Sequence, residues 1–361
     1  MAPADTITPL LANRRDISSG MAMASNGPEN AETGILLLNM GGPDSLEAVK
    51  PFLKNVFADS TIIDLPGGRI GQFFLGKLIV NRRLPVVREN YIKIGGRSPI
   101  LDWTKLQIEG VQELLSNRTE QSVKVGMAMR YWHPFADEAL RILTVSGVKH
   151  VIGLTLYPHF SRATTGSSET DLLNARDRLG LDLPISFISH WYDDPAFLNL
   201  WAGKIEKVLE GMRPEVRESV QLVVTAHGLP RKFVDEGDPY VEHIEATMEG
   251  VLKKLTEPPP AHLCFQSRSG PVDWIGPSTG EMITSLAAKG HHALLIWPIS
   301  FVSDHIETLY ELDIKYRQAA LQSGIEEYHI VPSLNDDPEF FAVLAGLVET
   351  HMKNLNEVPI R

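Results

Sequence analysis

Two short segments of the chain carry side chains that could handle a divalent cation and move protons. Residues 225–230 read TAHGLP and place His227 where an apolar run gives way to a Gly/Pro turn. Residues 303–313 read SDHIETLYELD and begin a predicted helix, on which steps of three and then four residues put three carboxylates on one face. The predicted metal ligands are His227, Asp304, Glu307 and Glu311.

Each of these residues also has a purely structural interpretation. A lone histidine after a strand is more often a satisfied structural residue, and for Asp304 alone a helix cap would be favoured. Glu307 and Glu311 continue the stripe beyond the cap, with His305 beside it, and the apolar segment 297–301 precedes them. We therefore expect the acids to face a pocket of low dielectric, where burial raises the pKa of Glu307 into a range suited to proton exchange.

Alternating strands and helices must position these residues. Short apolar runs bounded by Gly or Pro predict buried parallel strands at 34–40, 123–128, 149–156, 185–189, 219–225, 262–267, 292–297 and 328–331. Helices are predicted at 44–57, 136–146, 168–179, 194–211, 239–255, 277–289, 304–323 and 337–354. Two such series predict an α/β fold of two doubly wound, Rossmann-like lobes, 33–200 and 201–361, with parallel sheets and a cleft at their strand ends.

Length and composition exclude several classes of protein. The chain has 361 residues, enough for two lobes, and a formal net charge of −11, which argues against a nucleic-acid partner and suits attraction of a dication. The single cysteine, Cys264, excludes an internal disulfide and an iron–sulfur cluster, so we expect no permanently bound cofactor and a reducing, cytoplasmic compartment. No apolar stretch reaches the roughly 20 residues that span a bilayer.

Segment 1–32 has a composition of its own. It is rich in Ala, Ser, Asn and Pro, shows no periodicity, and contains acids that count against a transit peptide. We expect a disordered tail here.

At this point the chain resembles the ferrochelatases, which insert Fe(II) into a porphyrin late in haem synthesis. The resemblance runs from about residue 34 to residue 351, with at least six motifs in the family's order. It implies that His227, in the matching Ser/Thr-Ala-His-x-Leu-Pro motif, is the active-site histidine. It also implies that Glu307 of the His-x-Glu motif faces that histidine across the macrocycle, with His305 in the same motif and Glu311 extending the acidic path outward.

The same resemblance assigns the walls of the porphyrin pocket. The predicted contacts are Met40, Tyr91, Ser98, Arg130, Tyr131, Trp274 and Phe301. Met40 offers a soft apolar contact to a macrocycle face, and the aromatic, cationic and hydroxyl groups of 91–99 suit a porphyrin edge and its propionates. Taken singly, each aromatic is more typical of a core position than of a ligand contact.

Segment 67–83 departs from the alternating pattern. Its apolar residues are Ile70, Phe73, Phe74, Leu75, Leu78 and Ile79, and its basic residues are Arg69, Lys77, Arg82 and Arg83. Periodicity alone leaves open a buried core helix and a helix at a membrane interface. The resemblance favours the second, because the family has a hydrophobic lip here beside the porphyrin cleft. We therefore expect peripheral membrane contact, at the inner face.

The chain also departs from the family's pattern. Lys315 stands where many members continue the acidic line, which argues against an outer entry path for Fe(II), and its spacing suits a pair with Glu311. Arg162 stands where cluster-bearing members place a cysteine, in agreement with the cysteine count. The loop 157–168 around Arg162 is predicted to cap a helix in preference to binding an anion.

The function expected is that of a lyase, a ferrochelatase whose partners are ferrous iron and protoporphyrin IX. Coproporphyrin III is the alternative substrate, but coproporphyrin enzymes tend to have a tyrosine in the first strand-end turn, where this chain has Asn39-Met40-Gly41-Gly42. The two-lobed pattern alone also fits a cobalt chelatase or a non-catalytic tetrapyrrole-binding protein. A cobalt chelatase usually has more histidines facing the metal, and a binding protein has no need of a base at Glu307. The sequence predicts no particular oligomeric state.

Overall fold

The computed structural model describes residues 23–25, 27–28, 31–60, 62, 68–268 and 272–357. The first half of this part forms a sheet of four parallel strands in the order β2-β1-β3-β4. Its elements are β1 (Thr33–Asn39), α1 (Val49–Ala58), α2 (Gly68–Lys93), α3 (Ile100–Arg118), β2 (Val123–Met129), α4 (Ala136–Val145), β3 (His150–Thr155), α5 (Ser167–Arg178) and β4 (Ile185–Ile188). A short π-helical turn, Arg162–Gly166, leads into α5.

The second half repeats this arrangement with four parallel strands in the order β6-β5-β7-β8. Its elements are α6 (Pro195–Glu210), α7 (Pro214–Arg217), β5 (Gln221–His227), α8 (Arg231–Asp235), α9 (Tyr240–Leu252), β6 (Ala261–Gln266), α10 (Thr279–Ala288), β7 (Ala293–Trp297), α11 (Arg317–Gln322), β8 (Glu327–Ile330) and α12 (Pro338–Glu357). The segment Glu307–Tyr316, before α11, is a π-helix. The predicted fold of two parallel, helix-covered sheets is confirmed.

The apolar runs of the central strands are explained by their burial on both faces. Residues 35–38 of β1 and 222–224 of β5 are at most 1% exposed, because helices cover both faces of a parallel sheet. One continuous apolar core includes Leu37 of β1 and Leu295 of β7, and α12 of the second half packs against α3 of the first. The two lobes therefore share a core, which fixes the walls of the cleft. No helix within the described ranges is long and apolar enough to cross a bilayer.

The N-terminal segment corrects one prediction. Met23 pairs antiparallel with Gly126 of β2, and Ala24 N donates to the Val125 carbonyl at 2.9 Å. Met23, Ala24 and Ala31 are buried, so the predicted disorder of 1–32 is wrong for these residues, while 1–22 lie outside the described part. The segment covers the open edge of β2, and free strand edges favour such pairing.

One helix and one lobe boundary differ from the sequence prediction. Helix α3 is absent from the predicted elements, although its buried Ile108, Val111 and Leu115 have helical spacing. The predicted lobe boundary between residues 200 and 201 falls inside α6, which packs against α9 and α12.

Candidate active site

Strand β5 ends at His227, in a turn that requires glycine at the next position. A side chain at Gly228 would put its Cβ 2.7 Å from the Gln266 carbonyl oxygen, so only glycine allows this approach of two strand ends. Gly228 N donates to that carbonyl at 2.8 Å, and His227 N donates to Ser300 Oγ at 3.2 Å. The imidazole is thus held at the carboxyl edge of the sheet, where open α/β sheets bind ligands, and 40% of the side chain is exposed.

Glu307, the first residue of the π-helix, lies between two imidazoles. Its Oε1 is 3.1 Å from His227 Nδ1, and its Oε2 is 3.1 Å from His305 Nε2. His305 Nδ1 lies 3.1 Å from the Ser303 carbonyl, and because a carbonyl only accepts, this nitrogen carries a hydrogen. A hydrogen bond between His305 and Glu307 then needs either a doubly protonated imidazole or a protonated carboxyl. This contact holds the Glu307 carboxyl beside the His305 ring.

The His227–Glu307 pair favours its charged form. Burial disfavours the imidazolium of His227, but the charge and hydrogen bond of Glu307 outweigh that penalty and raise the pKa of His227. Burial also opposes ionisation of Glu307, yet His227 and His305 outweigh it and hold the pKa of this carboxyl well below its usual range. The expectation that burial raises the pKa of Glu307 is therefore wrong, because both histidines contact the carboxyl directly, whereas the resemblance placed His227 across the macrocycle from it.

Glu311 lies further along the π-helix in a separate set of contacts. Its Oε2 accepts from Ser267 Oγ and, at 3.5 Å, from Gln266 Nε2. Its Oε1 is 2.8 Å from Lys315 Nζ, which confirms the predicted pair. Gln266 Nε2 also lies 3.4 Å from the Glu307 carbonyl oxygen, so the end of β6 links two turns of the π-helix.

Asp304 lies in the turn before the π-helix and is engaged elsewhere. Its Oδ1 accepts from Thr308 Oγ1 at 2.9 Å and from Ser333 Oγ at 2.8 Å, and its Oδ2 accepts from Asn335 Nδ2 at 2.8 Å. These bonds satisfy both carboxylate oxygens, so its predicted role as a metal ligand is corrected to a structural one. Within the part of the chain that the structure describes, no group of three or more His, Cys, Asp and Glu side chains could hold a metal ion. The predicted set of four ligands is not assembled.

Two predicted aromatic contacts lie around the histidines. The ring centroid of Phe301 is 4.7 Å from that of His305 and 6.4 Å from that of His227. Trp274 pairs through its backbone with Pro230, in the turn that follows β5. Phe301 therefore lies against both histidines, and the ring of Trp274 lies beside Gly228, the residue after His227.

Three further predicted contacts, Met40, Tyr91 and Ser98, lie in the first lobe. Met40 and Tyr91 belong to an apolar cluster that joins α1 and α2 to the π-helix. Burial, with a contribution from the charge of Glu307, raises the pKa of Tyr91, so its phenol stays neutral. Ser98 is buried before α3, where its Oγ accepts from Ile100 N at 3.4 Å. The contact of Ser98 with a porphyrin stays a prediction.

Arg130 and Tyr131, just after β2, share a buried carboxylate. Asp59 Oδ2 accepts from Arg130 Nη2 at 2.7 Å, from Tyr131 OH at 2.7 Å and from Ser167 Oγ at 2.8 Å. Asp59 and Ser167 are absent from the predicted site, since no local pattern distinguishes a polar residue after α1 or a serine in a hydroxyl-rich loop. Gln266, by contrast, lies at the end of a predicted strand, where open α/β sheets carry functional residues, and so had a usable signal.

The loop before α5 forms a cap, but of the π-helical turn and not of α5, which has no side-chain cap. Ser161 Oγ accepts from Ala163 N at 3.2 Å, which caps the π-helical turn. Arg162, in the same turn, is 3.0 Å from Glu236.

The start of α2 presents large apolar side chains to solvent. Phe73, Phe74 and Leu78 are 66%, 65% and 65% exposed. Exposed basic residues on the same stretch are Lys77, Arg82 and Arg83. Of the predicted lip, Gly67 and the side chains of Arg69 and Ile70 lie outside the described residues. Contiguous exposed apolar surface of this kind is typical of an interaction site.

Comparison with known proteins identifies the family. The model of the family described as Ferrochelatase matches residues 32–352. The chain belongs to the ferrochelatase family. The ferrochelatase of Geotalea uraniireducens (strain Rf4) is 46% identical over 317 residues, which are 88% of this chain and 97% of that protein. The mitochondrial ferrochelatase of Bos taurus is 39% identical over 336 residues, which are 92% of this chain and 80% of that protein.

Family membership confirms the coarse prediction, a metal chelatase of haem biosynthesis. Among solved structures, SirB from Bacillus subtilis with Fe3+ matches with a TM-score of 0.53 and 11% identity, over 90% of this chain and 98% of that chain. At this identity the likeness concerns the fold alone. It agrees with the predicted architecture of two doubly wound, Rossmann-like lobes.

Proposed function

We propose that the chain inserts Fe(II) into protoporphyrin IX to form protohaem. The observation that carries this proposal is the carboxylate of Glu307 held between His227 and His305 at the carboxyl edge of the second sheet. Metal insertion removes the pyrrole N–H protons, so it needs bases beside the macrocycle. A carboxylate flanked by two imidazoles supplies groups that exchange protons near neutral pH.

In this proposal the closed cleft bends the porphyrin so that a pyrrole nitrogen leaves the plane, an interaction that favours the transition state over the ground state. His227, in its neutral form, accepts one pyrrole proton and releases it to solvent before it accepts the second, and its raised pKa makes the neutral form a stronger base. Glu307 stabilises the imidazolium that results, since its carboxylate lies 3.1 Å from Nδ1. Fe(II), as substrate, replaces the departing protons, and His227, Glu307 and Glu311 are proposed as successive contacts of the ion, since the described residues form no site that could hold it with three of them at once.

The choice of porphyrin rests on the first strand-end turn. This turn reads Asn39-Met40-Gly41-Gly42 and has no tyrosine, which supports protoporphyrin over coproporphyrin. Purified protein assayed with Fe(II) and each porphyrin is expected to turn over protoporphyrin IX faster. Faster turnover of coproporphyrin III would reverse the substrate assignment, and a preference for Co(II) would favour a cobalt chelatase. Porphyrin binding without any metal insertion would favour a non-catalytic protein.

The exposed start of α2 supports a further part of the proposal, reversible contact with an anionic membrane at its inner face. Phe73, Phe74 and Leu78 would enter the interface while the basic residues meet lipid head groups, each worth about 1 kcal/mol near such a surface. This contact suits an enzyme whose porphyrin substrate is poorly soluble in water.

Co-sedimentation with anionic phospholipid vesicles at low and high salt tests the membrane contact. The parent protein is expected to bind at low salt and dissociate at high salt, and Phe73→Ser/Phe74→Ser is expected to lose binding. Val145→Ser is a matched control, because Val145 is 89% exposed on α4 and lies outside the lip. Equal binding of parent and double variant, or no binding by either, would refute the membrane contact.

A further inference from the structure

Asp59 is a buried acid on which three parts of the first lobe converge. It directly follows α1, its backbone N lies 3.3 Å from the Val56 carbonyl, and its side chain is only 5% exposed. The donors to its Oδ2 come from Arg130 and Tyr131 after β2 and from Ser167 at the start of α5. A buried carboxylate with this set of donors is fixed in place, because each hydrogen bond offsets part of the free-energy cost of removing the charge from water.

The same contacts fix the guanidinium of Arg130. Its Nε donates to Ser167 Oγ at 2.8 Å, its Nη2 donates to Asp59 at 2.7 Å, and its Cζ lies 4.9 Å from the Tyr131 ring centroid. Its remaining nitrogen, Nη1, is 3.8 Å from Asp171, which is too far for a hydrogen bond. Asp59 therefore holds the guanidinium more closely than Asp171 does.

The guanidinium of Arg130 has room to move beside its present position. A cavity of about 290 Å³ is lined by Arg130 and Asp59 and also by Asp137, Asp171 and Arg178. Without the charge of Asp59, the guanidinium could turn into this cavity toward Asp171 and leave the Tyr131 ring. The phenol of Tyr131 would lose its acceptor in the same change.

We propose that Asp59 is a positioning residue, which holds the guanidinium of Arg130 in one orientation at the end of β2 so that it meets the porphyrin, with the buried Tyr131 as a second anchor of the same carboxylate. This inference rests on the proposed function and on the contact of Arg130 with the macrocycle that the resemblance to the family implies. Asp59 itself acts through that guanidinium.

Asp59→Asn tests the proposal, since it keeps the size of the side chain and removes its charge. The KM for protoporphyrin IX is expected to rise about tenfold, the scale of one lost charge-assisted hydrogen bond, while the apparent KM for Fe(II) stays within about twofold. Asp171→Asn is the matched control, because it removes the more distant carboxylate from the same guanidinium. Its porphyrin KM is expected to change less than about twofold.

A double variant separates positioning from general stabilisation of the fold. If Asp59 acts through Arg130, then Asp59→Asn/Arg130→Gln is expected to raise the porphyrin KM no more than the worse single variant. The proposal would be overturned if the two substitutions raised the porphyrin KM multiplicatively in the double variant. It would also be overturned if Asp59→Asn left the porphyrin KM unchanged. Should Asp59→Asn fail to fold, Ser167→Ala removes one link and is expected to raise the KM about threefold, and no change there would overturn it as well.

The failure of the proposed function can be told apart from the failure of this inference. If the parent protein does not insert iron, fluorescence titration with protoporphyrin IX alone replaces the KM, and the same ratios are expected for the dissociation constants. A parent that neither inserts iron nor binds protoporphyrin would overturn both proposals. A parent that inserts iron beside an Asp59→Asn variant with equal porphyrin KM would overturn this one only.

Discussion

Glu307 and Asp59 are both carboxylates at the cleft, and they differ in the groups that donate to them. Glu307 faces two histidines, the side-chain type that commonly exchanges protons near neutral pH, and it raises the pKa of His227. Asp59 faces an arginine, a tyrosine and a serine, which keep their protons over the same range. Burial and the charge of Asp59 raise the pKa of Tyr131 further. The partners of each acid, and not the acid itself, decide whether it exchanges protons or acts as a fixed charge.

The largest effect is expected when the contact between Glu307 and His227, the proton-exchanging pair, is removed. Glu307→Gln keeps the size of the side chain but removes the charge that stabilises the His227 imidazolium. Turnover is expected to fall roughly 100-fold or more, the usual scale for loss of acid–base catalysis. His227→Ala, as the companion variant, is expected to lose nearly all chelation and still bind porphyrin. Steady-state assays with Fe(II), together with porphyrin titrations, measure both variants.

Two outcomes would contradict these roles. A change in Glu307→Gln confined to the apparent affinity for iron would make Glu307 a metal contact and not part of the base. Near-normal turnover in His227→Ala would remove His227 from the reaction altogether.

The contributions of Glu307 and Asp59 to the free energy of unfolding are also expected to depend differently on pH, and Glu307 is considered together with His227. The pKa of His227 is raised in the fold, so its contribution to the free energy of unfolding is complete below about pH 6.5 and is lost as pH rises through the folded pKa. The pKa of Glu307 is lowered, so its contribution is present above about pH 4.3 and is lost as pH falls through the folded pKa. Their ion pair therefore stabilises the fold most between about pH 4.3 and 6.5.

Thermal unfolding across this range measures the difference. The Tm of the parent minus that of Glu307→Gln is expected to shrink by roughly 1–3 °C between about pH 5.5 and 9. The corresponding difference for Asp59→Asn is expected to stay constant, because its three described donors, an arginine, a tyrosine and a serine, keep their protons over this range. A difference for Glu307→Gln that does not shrink with rising pH would contradict the pairing with His227.

Local patterns in the sequence predicted the strands and the position of His227, but not the partners of the acids. Apolar runs bounded by Gly or Pro mark buried strands, so the ends of β5 and β7 could be placed without a structure. Asp304 was indistinguishable from Glu307 by spacing, because its partner Asn335 comes from a loop 31 residues later. The donors to Asp59 are 71, 72 and 108 residues away, and no local periodicity reports contacts over such separations.

The smallest expected effect concerns Lys315, which pairs with Glu311 four residues earlier and is half exposed. A pair of this kind contributes about 0.3–0.5 kcal/mol, so Lys315→Gln is expected to lower the Tm by less than about 1 °C. The variant also removes a positive charge 2.8 Å from a proposed iron contact. The apparent KM for Fe(II) is therefore expected to fall about two- to threefold at low salt and less at high salt, because salt screens exposed charges.

Lys253→Gln is the matched control for this variant, because Lys253 makes the same kind of exposed pair with Glu249 at α9. It is expected to leave the apparent KM for Fe(II) unchanged at both salt concentrations. If Lys315→Gln behaves like this control, the iron does not pass the outer end of the π-helix. Glu311 would then resemble Asp59, as a charge fixed by its lysine and serine partners, and Glu307 would be the one acid of the helix that takes part in proton exchange.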